Sequence, residues 1–289
     1  MLDSHPDISN PGEFDFLIDL LGSNGQAPDP QRYRRWLATH RGFQAMGLAV
    51  DPALGYAELM HAFVKQLCRD DKVLTMNVHR HFDRLPGLFP QARYIHLIRD
   101  PRDVALSTIG MGWAGNVHSG VNIWAESERS WDRLAASLAS DRYMEVRYEV
   151  LLENLVEELT KICRFLDVDY SPRMLDYSAR SSYTVPDPQL RYQWKRKCTS
   201  RELQLVDWKL GGMLLQRKYE LSGLPPRKPR LLELLRMAIQ DKVYRVRFRI
   251  RRYGMVLYLE NLVASRARIV SWQASCQSRI NRIDVKYLK

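Results

Sequence analysis

The stretch Ala92–Ser107, ARYIHLIRDPRDVALS, reads as a buried strand that turns directly into a helix. Arg93–Ile98 (RYIHLI) is short and rich in β-forming residues. Asp100 offers a side-chain acceptor to the free amides of a new helix, and Pro101 suits its first position. Asp103 lies three residues beyond that cap. Such a helix turns its positive end toward the strand's exit, which favours an anion. Arg99, at the strand end, carries a planar fork of donors matched to phosphate. Ser107, one turn beyond Asp103, can present its hydroxyl to a ligand along the same face. The simpler reading is that Arg99 pairs with a neighbouring aspartate and the remainder is helix capping.

Working outward, Val73–Asn77 (VLTMN) and Tyr143–Tyr148 (YMEVRY) read as two further buried strands. Val121–Ala139 and Leu151–Leu166 between and after them have helical spacing, with Trp124 and Trp131 seven residues apart on a core face. Strands alternating with helices imply an α/β fold with a central parallel sheet covered on both faces. Ligands of such sheets sit at the carboxyl ends of the strands. That rule selects Asn77-Val78-His79, Arg99-Asp100-Pro101 and Tyr148-Glu149 as the positions to examine.

The 289 residues carry a net charge of +11, which suggests a nucleic-acid partner until it is divided along the chain. Residues 225–289 hold 16 Lys and Arg against 4 Asp and Glu, a balance of +12, so residues 1–224 balance at −1. The break Leu221–Pro229 (LSGLPPRKP) coincides with that shift and divides a main domain, 1–224, from a basic extension, 225–289. A neutral main domain without a nucleic-acid-binding motif leaves no specific nucleic acid as partner. The four cysteines show no CxxC spacing, which fits a reducing, cytoplasmic setting without zinc or disulfides. No apolar run approaches the roughly 18 residues of a membrane span.

Ile95–Ser107 (IHLIRDPRDVALS) resembles the 3′-phosphate-binding motif of sulfotransferases that use 3′-phosphoadenosine 5′-phosphosulfate (PAPS). The resemblance, of bacterial type, covers nearly all of residues 1–224, including Glu145–Phe165 and Gln193–Tyr219. It implies a P-loop-like three-layer fold, with Arg99 and Ser107 holding the 3′-phosphate and Tyr148 touching the adenine. Lys195, and beyond it Arg191, would lie near the nucleotide phosphates. From the residues alone, Tyr148 reads equally as a strand-end core aromatic, and the run Arg191–Lys197 as a solvated face.

Sulfuryl transfer to a hydroxyl needs a base with a pKa near working pH, which histidine supplies. His79 and His81 both follow the first predicted strand. His79 stands seven residues before Pro86, the spacing of the catalytic histidine in the related cytosolic enzymes, which favours it over His81. The lysine that precedes that histidine in the cytosolic enzymes is Asn77 here, with Arg80 and Arg102 as substitutes to consider. Met111–Asn116 and His118–Gly120 are candidates for shaping an acceptor pocket.

By the same resemblance, a strand and a loop of Arg-Ser-Gly-Thr-Thr type cradle the 5′-phosphosulfate; no such stretch occurs in residues 1–289. Met1–Leu17 resembles the segment after that loop and is expected to open on a helix. Either the coding frame begins about 20 or more residues upstream, or residues 1–289 are the full product and lack that half of the site; the first is favoured, because a sheet without that strand would expose hydrogen-bonding edges inside the fold. The expected function is sulfuryl transfer from PAPS to a hydroxyl or amine of a small-molecule or carbohydrate acceptor. The alternative is a catalytically inactive nucleotide-binding module of the same fold.

In the extension, Val243–Arg252 (VYRVRFRIRR) alternates like a strand. Ile239, Val243, Val246, Ile250, Tyr253 and Leu257 nevertheless recur at helical spacing, so a helix is expected. It reads either as a surface helix with a solvated arginine face or as a contact for an anionic membrane or polyanion.

Overall fold

The computed structural model describes residues 1–22, 24–68, 72–179 and 187–287. Its strands are β1 (Ile8–Ser9), β2 (Val73–Leu74), β3 (Tyr94–Ile98) and β4 (Tyr143–Arg147). All pairing is parallel, in two short sheets: β1 with β2, and β3 with β4 in register from Tyr94↔Tyr143 to Ile98↔Arg147. An isolated parallel bridge, Glu13↔Asn77, extends the first pair. Ile8, Val73, Ile95, Met144 and Val146 share one core with Leu159, Ile162 and Cys163, so both sheets pack on the same apolar layer. The chain does not open on a long helix. A single 3₁₀ turn at Leu2–Ser4 leads straight into β1.

The helices of the main body are α1 (Pro30–Leu37), α2 (Arg41–Met46), α3 (Tyr56–Leu67), α4 (Pro101–Gly110), α5 (Val117–Ala135), α6 (Tyr148–Glu153), α7 (Leu155–Phe165), α8 (Trp194–Lys197) and α9 (Ser200–Gln216). Local chemistry starts them where the chain turns. Asp29 accepts from Arg32 N at 2.7 Å ahead of Pro30, and Asp100 accepts from Arg102 N at 2.9 Å ahead of Pro101. Thr199 and Glu202 form a reciprocal capping box for α9. Aromatic residues of α1–α3 and the preceding segment (Phe14, Phe16, Tyr33, Phe43 and Phe63) make one core, and α4, α5 and α9 make a second. Trp124 and Trp131 are buried, the latter stacked on His96 at 4.2 Å.

Residues 231–284 form α10 (Leu231–Tyr253), α11 (Met255–Ala267) and α12 (Val270–Asp284), so the alternating arginine segment is helical as its three-and-four spacing requires. Among the described residues no helix is long and apolar enough to cross a membrane. The extension is seated on the main body. Asp241 Oδ1 accepts from Gly115 N at 2.7 Å, Met237 O accepts from Asn116 Nδ2 at 2.8 Å, and Tyr244 donates to Ile109 O at 3.0 Å. Asn281 of α12 reaches back to Thr39 O at 2.8 Å.

This seating explains the glycines of the 111–120 segment. A Cβ on Gly115 would lie 2.6 Å from Asp241 Cα, and one on Gly120 would lie 2.9 Å from Ala105 of α4. Gly112, at φ +75°, lies under the Phe248 ring. These glycines serve close helix approach. Gly115→Ala is expected to lower stability by about 1–3 kcal/mol, because a helix backbone cannot yield as a side chain does. Thermal unfolding followed by circular dichroism measures this as a lower Tm.

Candidate active site

The carboxyl ends of all four strands open on one groove of about 2260 Å³. Asn10–Glu13 follow β1, Asn77 and His79 follow β2, Leu97 belongs to β3, and Tyr148 follows β4; all line it. Leu97, 56% exposed near the end of β3, faces this space. Met111 and Trp113 line it beyond α4, and Asn281 and Arg282 of α12 form part of its wall.

At this groove His79 and Asp15 are joined twice. Asp15 Oδ1 accepts from the His79 backbone N at 2.8 Å, and Oδ2 lies 2.9 Å from His79 Nδ1. Asp15 is buried on the 3₁₀ turn Asp15–Leu17, whereas the His79 side chain is 54% exposed. Burial alone would raise the Asp15 pKa, but the hydrogen bonds from His79, with its charge and that of Arg80, outweigh it and hold the carboxylate low. The hydrogen bond to that carboxylate raises the His79 pKa above its ordinary value. An ionised Asp15 accepts the Nδ1 proton and leaves Nε2 as the basic nitrogen. Arg80 braces the pair, with a bidentate contact to Asp19 at 2.6 and 2.7 Å and Oδ2 of Asp15 at 3.7 Å. His81 takes a left-handed backbone conformation at φ 55°, and burial with the nearby Arg84 lowers its pKa. Among the described residues no carboxylate hydrogen-bonds to its ring. Asp15 escaped the sequence reading, since nothing local links residues 64 positions apart.

The Asp100–Pro101 turn has the expected cap, and further anchors besides. Glu149, buried after β4, accepts from Asp100 N at 2.9 Å and from Tyr219 Oη at 3.2 Å, tying the exits of β3 and β4 together. Its removal is expected to cost roughly 1–3 kcal/mol by stranding the Asp100 amide, read as a lower denaturation midpoint for Glu149→Ala. Arg102 is fully buried, bonded to both Asp100 oxygens at 2.9 and 2.7 Å and stacked 3.4 Å over Trp194. It is a structural clamp and cannot stand in for the lysine replaced by Asn77. Asp103 accepts from Trp194 N at 2.9 Å, and burial raises its pKa.

Arg99 stacks 4.5 Å over Tyr148, donates to Leu190 O at 2.8 Å, and lies 3.9 Å from Asp103 Oδ2. Its buried Nε has no hydrogen-bond partner among the described residues. Tyr148 and Leu190 line the groove, with Arg99 behind them. Ser107 is half-buried on α4, and its hydroxyl makes no hydrogen bond among the described residues. Lys195 pairs with Glu220 at 2.5 Å, and Arg191 pairs with Glu153. The structure therefore brings His79 and Tyr148 to one groove with Arg99 adjoining it, while Lys195 and Arg191 are engaged with carboxylates.

The exits of the parallel strands thus gather a histidine–aspartate pair and, adjoining it, a strand-end arginine. Residues 1–172 match the model of the sulfotransferase family, and the chain belongs to that family. Solved structures that share the fold include two sulfotransferase domains. One is the sulfotransferase domain from the curacin biosynthetic pathway, 18% identical, with a TM-score of 0.53 over 76% of this chain and 92% of that one. The other is the sulfotransferase domain of the Synechococcus PCC 7002 olefin synthase, 22% identical, with a TM-score of 0.55 over 76% and 88%. No curated protein matches the chain.

Proposed function

We propose that this chain moves a sulfuryl group from PAPS to a hydroxyl acceptor, with His79 as general base and Asp15 as its positioning residue. The observation that carries this reading is the His79–Asp15 pair at the groove where all four strands end. The acceptor oxygen bonds to sulfur while its proton passes to His79 Nε2. The bond from sulfur to the phosphate oxygen breaks, and adenosine 3′,5′-bisphosphate (PAP) leaves. Asp15 keeps Nδ1 protonated and stabilises the imidazolium that forms. Little covalent chemistry is asked of the protein beyond alignment and charge stabilisation.

Arg99 and Ser107 hold the 3′-phosphate in this reading. The unpartnered Arg99 Nε and the unengaged Ser107 hydroxyl supply donors, and the phosphate takes the place of the Leu190 carbonyl. Tyr148, stacked on Arg99, borders the adenine side. Lys195 and Arg191 reach a phosphate only by leaving Glu220 and Glu153, which makes them secondary. Residues 1–224 supply the base and the 3′-phosphate contacts, and Met111 and Trp113 contribute to the acceptor side of the groove.

The test is calorimetric titration of PAP into protein expressed from the complete coding frame, followed by transfer of radiolabelled sulfate from PAPS to a panel of phenols, alcohols, amines and sugars. Saturable PAP binding with transfer to at least one hydroxyl acceptor is expected. Absence of PAP binding sinks the proposal, and binding without transfer leaves the inactive nucleotide-binding module.

A further inference from the structure

Helix α10 has two apolar faces, and only one is used inside the molecule. Met237, Asp241, Tyr244 and Phe248 recur every three or four residues and meet the 109–116 segment. Two residues further on is about 200° around a helix. That step takes Met237 to Ile239 and Asp241 to Val243. Leu232, Leu235, Ile239 and Val243 thus form a stripe opposite the seated face, exposed by 71%, 56%, 55% and 41%. Exposed Arg236 and Arg247 border one side of it, and exposed Lys242 and Arg249 border the other. None of these four cations has an ion pair among the described residues.

The acidic residues of α10 are all spent elsewhere. Glu233 is clasped bidentately by Arg201 of α9, and Asp241 is held by Gly115 N and Arg245. The outer face therefore combines a continuous apolar strip with positive borders and carries no negative charge.

The geometry points to a lipid surface: α10 lies flat on an anionic bilayer, its leucine–isoleucine–valine strip among the acyl chains and its bordering arginines and lysine at the headgroups. A strip of this kind flanked by cations whose aliphatic stems reach outward is the pattern of interfacial helices. An anionic membrane supplies both complements at once, whereas a nucleic acid offers no apolar layer. A second copy of the chain would set like-charged borders against each other, which opposes pairing. The fixed seating of α10 makes docking a property of the whole folded chain.

Co-sedimentation of the full chain with phosphatidylcholine vesicles, and with vesicles containing 30 mol% phosphatidylglycerol, tests this. Binding to the anionic vesicles is expected to exceed binding to neutral ones by at least roughly tenfold and to weaken with added salt. Ile239→Asp is expected to reduce anionic-vesicle binding about tenfold or more, and Arg236→Gln with Arg247→Gln to reduce it by a similar factor. Both variants alter exposed residues, so unchanged thermal unfolding and PAP titration keep a folding defect and a failure of the sulfotransferase reading separate. Equal binding to the two vesicle types, or unaltered binding by Ile239→Asp, overturns the proposal. So does a concentration-dependent dimer that Ile239→Asp dissolves while vesicles stay unbound.

Discussion

Replacing His79 with alanine is expected to lower kcat/KM for sulfuryl transfer by about 10²–10⁴-fold while leaving PAP affinity within a few-fold of the parent, the range a lost general base produces. The pairing with Asp15 makes a second variant more informative. In the parent, the carboxylate raises the His79 pKa, so the neutral base accumulates only as pH climbs past the ordinary histidine value. The acidic limb of the kcat/KM profile should accordingly lie above that value. Asp15→Asn removes the charge that favours the imidazolium, so the limb should move to lower pH even as the maximal rate falls. A limb that stays put in Asp15→Asn, or moves to higher pH, rules out this coupling. A merely structural aspartate would change the rate without moving the profile. His81→Ala is expected to be nearly silent, since among the described residues no carboxylate hydrogen-bonds to its ring.

Arg99→Ala is the second large effect. The guanidinium ends β3 beside the α4 N-terminus, with an enclosed Nε that no described protein group satisfies. Hydrogen bonds to a charged partner contribute roughly 1.5–3 kcal/mol each, so loss of this one side chain should weaken PAP by about 10- to 150-fold. Arg99→Lys should rescue little, because an ammonium keeps the charge but lacks the planar fork. The control ligand is adenosine 5′-monophosphate. If Arg99 acts on the 3′-phosphate, a nucleotide without one should bind the parent and Arg99→Ala alike. An equal loss for both ligands would assign Arg99 to the fold or to the 5′ side.

What could be read in the sequence was local. The Asp100 cap, Pro101 and the exit of β3 are contiguous, and their chemistry is independent of the rest of the chain. The helical α10 was legible because its apolar spacing continued across the alternating arginine segment into residues that cannot be strand. Strand β1 was not legible, since two residues carry no periodicity. Asp15 was hidden because its role comes from a contact 64 residues away. Arg102 looked like a free cation, yet its partner is two positions back and its stacking partner, Trp194, lies in a different helix. The 111–120 glycines suggested a pocket in one dimension. In three they are the places where α10 and α4 come close.

The seating of α10 on residues 109–116 bears on how the protein is handled at the bench. Met111 and Trp113 belong at once to the groove and to the loop that α10 presses into place. Trimming the chain at the Pro-rich break near 225 would look like removal of a dispensable tail. It would in fact unsplint the loop beneath, and α12 would withdraw a wall from the same groove. A shortened protein that still held nucleotide would then misreport which acceptors the intact one accepts.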